Sequence, residues 1–117
     1  MESILQTVST VIGGDATCTD FDIDLILYVN SVFNVLWELG AGPSEGFVVT
    51  GRTETWSDFT TDKRVLGLVQ NYVCDKVRLK FDPPQSSALL EALKQDAAEC
   101  EYRIRDHLSY TNTVNDG

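Results

Sequence analysis

The chain has 117 residues, a mass of 13.0 kDa, 43% apolar residues and a formal net charge of -9. That is the length of one domain, apolar enough to bury a core without disulfides or metal and too hydrophobic for the disordered class. The acid excess repels phosphate backbones at long range and disfavours sequence-specific nucleic-acid binding.

The charge is also uneven. Residues 1–51 hold Glu2, Asp15, Asp20, Asp22, Asp24, Glu38 and Glu45 and no Lys or Arg, and every cation lies from Arg52 onward. Within residues 61–81 the balance reverses, because Lys63, Arg64, Lys76, Arg78 and Lys80 outnumber Asp62 and Asp75. An electrostatically two-ended chain suits contact with an oppositely charged protein surface.

Along the chain, residues 2–12 place Ile4, Leu5, Val8, Val11 and Ile12 on one helical face before Gly13 and Gly14 stop it. Thr19 and Asp22 stand at capping-box spacing, so a second helix is predicted over 21–39. Its apolar residues, from Ile23 and Leu27 to Phe33 and Trp37, fit no single stripe. A helix apolar nearly all round needs cover on more than one side, and part of it is expected to meet another chain. Gly40 and Gly42 offer the left-handed C-cap, and Pro43 prevents resumption.

Residues 44–60 lack a helical period and read as an extended loop or short hairpin anchored by Trp56 and Phe59. A third helix over 62–80 turns Val65, Leu66, Val69, Tyr72, Val73 and Val77 inward. Asp62 favours its positive end, and Lys76, Arg78 and Lys80 favour its negative end.

The run VRLKFDPPQSS then turns a corner. Pro83 pushes Asp82 away from helical dihedrals, Pro84 suits a helix start, and Ser86 or Ser87 can cap the next helix. That fourth helix, over 85–108, carries the seam Leu90, Leu93, Ala97, Cys100 and Ile104, with Glu99–Arg103 and Glu101–Arg105 as i,i+4 pairs. The expected architecture is therefore all-α: about four helices in a small bundle over 1–108, then a polar, flexible tail over 109–117.

The chemistry-bearing residues do not assemble into a catalytic pattern. Cys18, Cys74 and Cys100 are an odd set without a C-x-x-C pair, read as reduced thiols of the cytosol, and the N-terminus lacks the layout of a secretory signal. His107 is the single histidine and reads as a last-turn helix residue. Asp20, Asp22 and Asp24 imitate a calcium loop until Leu25 takes the position of its Gly and Ser31 that of its Glu. Residues 21–39 are interrupted by Asp22, Asp24, Asn30, Asn34 and Glu38, so no membrane partner is expected. No enzyme activity, metal or cofactor is expected.

Taken in order, YVNSVFNVLWELGAGPSEGF, ETWSDF, VRLKFDPPQSSALLEAL and ECEYRI resemble the small head-tail connector (adaptor) proteins of tailed bacteriophages. The resemblance spans residues 2–108 and is strongest at the FDPP corner with its serine pair and leucine-rich helix. It implies a helical, non-enzymatic virion subunit, made in the host cytoplasm, in a twelve-fold ring under the portal protein at the head-tail junction. The ring would extend the DNA channel and dock the next tail component.

The residues supply matching reasons. Ring closure needs two unlike patches on one subunit, so the acidic face of Asp20, Asp22, Asp24 and Glu38 is expected to meet Lys76, Arg78 and Lys80 of a neighbour. Asp82, Pro83 and Pro84 would fix the angle between the last two helices, and a channel lined by acids would let DNA slide without being held. The rival reading is an acidic helical binding module, a DNA mimic or small regulator that captures a basic protein.

Overall fold

The structure, a computed structural model, describes residues 3–13 and 22–116, with side chains as far as Ser109. It is all-α, with α1 at Ile4–Gly13, α2 at Asp22–Glu38, α3 at Trp56–Phe59, α4 at Lys63–Phe81 and α5 at Ser87–Asp116. α4 is the central element, since α1, α2, α3 and α5 all pack on it. Its Val65, Val69, Tyr72, Val73 and Val77 are buried, as the spacing predicts, while Leu66 is half-buried.

Three of the helix ends have a clear local cause. Asp62 caps α4 by accepting the Arg64 N–H at 3.0 Å. α2 ends on a left-handed Gly40 with φ 99°, and the Gly40 N–H donates to the Trp37 carbonyl while the Ala41 N–H reaches back to that of Leu36, both at 2.9 Å. That pair of bonds is a Schellman motif, and Ala41 is buried beside it. At the corner the Asp82 N–H still bonds the Arg78 carbonyl at 2.8 Å, and Pro83 and Pro84 separate α4 from α5.

Residues 44–60 take the loop form of the expected extended loop or short hairpin, with a short helix added near their end. Among the described residues the one β-type contact is an isolated bridge between Ser3 and Thr55. The segment instead forms the short helix α3, because the Asp58 carboxylate accepts the Thr55 N–H at 2.8 Å and favours a helical turn. The extended part is held by a side chain: Asn30 of α2 accepts the Val49 N–H at 2.7 Å and donates to its carbonyl at 3.0 Å. The amide of Asn30 does for Val49 what a neighbouring strand would do.

Trp56 and Phe59, expected as loop anchors, sit in the core. Phe33 lies 4.8 Å from Phe59, 5.1 Å from Phe47 and 6.3 Å from Trp56 between ring centres, so four aromatic rings join α2, the loop and α3. The Trp56 indole N–H donates to the Thr7 hydroxyl at 3.0 Å and ties this cluster to α1.

α5 extends to Asp116, past the boundary expected at 108, and His107 is therefore not in its last turn. His107 instead faces the Asp62 carboxylate at 3.3 Å across the bundle. Of the α5 seam, Ala97, Cys100 and Ile104 are buried, but Leu90 and Leu93 are only half-buried. A 30-residue helix runs about 45 Å at 1.5 Å per residue, matching the 47 Å long axis.

Candidate functional site

The acidic face predicted from Asp20, Asp22, Asp24 and Glu38 is divided by the structure. Asp20 lies outside the described residues. Asp22 is engaged within its own subunit: Arg52 donates from Nε and from Nη2 to its two oxygens, each at 2.8 Å, and Nη2 also reaches the Ser9 hydroxyl at 3.1 Å. The hydrogen bond from Arg52 holds the Asp22 carboxyl below its ordinary range. Asp24 and Glu38 stand exposed near the two ends of α2.

Arg52→Ala should cost about 1–3 kcal/mol, the range for charge-assisted bonds that leave a partner unmet. Because the folded value of Asp22 is depressed, this stabilisation is present above its unfolded value near 3.8 and is lost as pH falls through the folded value. The difference between wild type and variant in urea melts should therefore shrink as pH falls below 3.8.

The cations of α4 also separate. Arg78 turns towards Pro84, Leu89 and Leu93 of the corner and α5, with its Nε buried and without a hydrogen-bond partner. Lys80 projects over the Tyr28 ring of its own subunit, 6.0 Å from the centroid. Lys76 lines a groove of about 200 Å³ between α4 and α5, where Leu79 and Ala98 are apolar neighbours, Lys94 is a second cation and Glu101 is the acid. Glu101 accepts the Tyr72 hydroxyl at 3.1 Å. Burial and that carboxylate push Tyr72 up to about 12.

Among the described residues, most large apolar side chains left exposed lie on α2 and the adjoining loop. Ile23, Leu27 and Trp37 of α2 are 77%, 68% and 47% accessible, and Val48, across a cleft from Trp37, is 63% accessible. Ile23, Leu27, Asn30, Asn34 and Trp37 succeed one another at intervals of four, three, four and three residues, so they share one outer stripe, which the loop crosses where Asn30 holds Val49. The cleft beside it, of about 530 Å³, is lined by Phe33, Asn34, Trp37, Gly46, Phe47 and Val48 among others, and its ionisable group is Glu45. Meanwhile Leu25, Val29, Val32, Phe33 and Leu36 are buried on the inner side. The sequence pattern shows that α2 has too much apolar surface for one stripe; the structure shows which part is left over.

The family model for phage connector proteins matches residues 4–111. The chain belongs to the phage connector protein family. No curated protein and no solved structure matches it. Membership assigns the connector to a structural family of the phage particle. Among the described residues no helix is long and apolar enough to cross a membrane.

One cluster in the connector brings together residues far apart in sequence. The carboxyls of Asp75 and Asp96 and the thiol of Cys100 lie within 4.8 Å of one another between α4 and α5. One Asp75 oxygen is buried and without a hydrogen-bond partner. Burial, then the facing Asp96 carboxyl, push Asp75 up to about 7, against the opposing pull of Arg78. Burial also raises the Cys100 thiol, and it raises Cys74 to about 11, so both thiols stay protonated at neutral pH. Cys18 lies outside the described residues.

The Asp75 shift has the opposite sign to that of Asp22. Its folded value lies above the unfolded one, so its contribution is full below about pH 4 and is lost as pH rises through about 7. Asp75→Asn should therefore melt higher than wild type at pH 8 and show a smaller difference at pH 5, read by circular dichroism.

Proposed function

We propose that this connector forms a ring under the portal protein at the head-tail junction of the phage particle, extends the DNA channel there, and docks the next tail or head-completion protein. The observation that carries the reading is the outer stripe of α2, which one copy leaves exposed. Monomeric proteins seldom leave large apolar side chains grouped in this way unless they meet a partner. Family membership over residues 4–111 makes that partner a component of the virion.

The resemblance of the FDPP region suggests a twelve-fold ring. Asp82, Pro83 and Pro84 set the direction in which α5 leaves α4, so each copy would present α5 to its neighbours at the same angle. DNA passes through such a ring without specific contacts, in keeping with a net charge of -9.

Native mass spectrometry of the purified connector, alone and mixed with the portal ring of the same phage, tests this reading. A discrete high-order oligomer, or a fixed number of copies added per portal ring, is the expected result. A connector that stays a single copy under both conditions would refute it.

A further inference from the structure

We infer that the outer stripe of α2 in one copy docks on the α4/α5 groove of a second copy, Ile23, Leu27, Trp37 and Val48 lying over Leu79 and Ala98. Asp24 and Glu38 of the stripe would then face Lys76 and Lys94 at the rim of the groove. The inference rests on the ring reading above and assigns the two faces that meet.

Charge complementarity selects this occupant. The stripe belongs to the half of the chain without a Lys or Arg, and its exposed ionisable neighbours are the acids Asp24, Glu38 and Glu45 against one cation, Lys80 of α4 beside Leu27. The groove carries two lysines against one carboxylate, and Glu101 is already accepting the Tyr72 hydroxyl. Pairing these surfaces places acid against base around an apolar centre, the layout of a specific protein interface. The groove, at about 200 Å³, is smaller than the ~300–1,000 Å³ of small-molecule sites, a volume that suits inserted side chains.

Geometry prevents one copy from satisfying itself. Tyr28 of α2 packs edge-on against Phe81 with centres 5.8 Å apart, whereas Tyr72 bonds α5 through Glu101. Phe81 and Tyr72 are nine residues apart on α4, which is two and a half turns, so they point to opposite sides of that helix. α2 and α5 therefore pack against different sides of α4, and the stripe faces outward from α2. Two unlike, complementary faces on one subunit produce head-to-tail contacts, which close as a ring when the rotation allows. This assignment leaves Asp22, Arg78 and Lys80 out of the interface, because Arg52 bonds Asp22, Arg78 turns towards the corner and Lys80 lies over Tyr28.

The test uses two variants of the full chain, Leu27→Glu in the stripe and Lys94→Glu in the groove, both at exposed positions and both checked for wild-type thermal melting. Each should raise the concentration needed for assembly at least about tenfold. A 1:1 mixture should yield a heterodimer of about 26 kDa, twice 13.0 kDa, because one intact stripe and one intact groove remain. Variants that assemble like wild type, or a mixture without heterodimer, would overturn the assignment while leaving the ring reading intact. A wild-type protein that never assembles, even beside the portal ring, removes both.

Discussion

Phe33→Ala is expected to lower the unfolding free energy by about 3–5 kcal/mol, the range for truncating a buried aromatic residue. Phe33 is fully enclosed and is the ring that Phe47, Trp56 and Phe59 share. Its loss leaves a cavity where α2, the 44–60 segment and α3 meet, although Asn30 still clamps Val49 and Arg52 still bonds Asp22. Urea unfolding should show a midpoint shift at nearly unchanged slope. A change below about 1 kcal/mol would mean that the loop is not held by this cluster.

Gly42→Val should be the second most damaging change. Gly42 has φ 82°, a region that costs a non-glycine residue roughly 1–3 kcal/mol. A Cβ there would also collide with the Phe59 ring, which is buried and cannot swing into solvent. The collision separates this site from Gly40, where the conformation is also left-handed but a Cβ meets nothing within 4 Å. Gly40→Ala should therefore be the milder of two otherwise similar C-cap substitutions, and thermal melts of Gly40→Ala, Gly42→Ala and Gly42→Val should rank in that order of increasing loss. Equal losses at the two glycines would show that backbone strain alone accounts for both.

Much of the helical layout is legible in the sequence because it is local. Apolar spacing locates the major helices to within a residue or two at most ends, and Asp62, Gly40 and Pro83 act where their own backbone chemistry dictates. Helix α3 escapes that reading because four residues carry too little periodicity to stand out. Its signal, Thr55 with Asp58 three residues on, is present and is a helix-start pattern. The Glu99–Arg103 pair forms at 2.7 Å, as adjacent turns allow. The pairing expected for Glu101 gives way to the Tyr72 hydroxyl, a partner supplied by another helix.

The candidate site is less legible, for a physical reason. Asp22 with Arg52 spans 30 residues, Asn30 with Val49 spans 19, and Asp75 meets Asp96 and Cys100 only once α5 folds back along α4. No local pattern encodes which charge finds which partner over such separations. By itself the sequence determined an all-α chain with a two-ended charge, a hard corner and a second helix richer in apolar residues than one stripe can use. The tertiary structure decided which acids and cations are already satisfied inside the subunit. It also placed the surplus apolar stripe on the outer side of α2 and the lysine-rimmed groove at the α4/α5 seam, because packing fixes the angular position of every helix face and spacing along the chain does not.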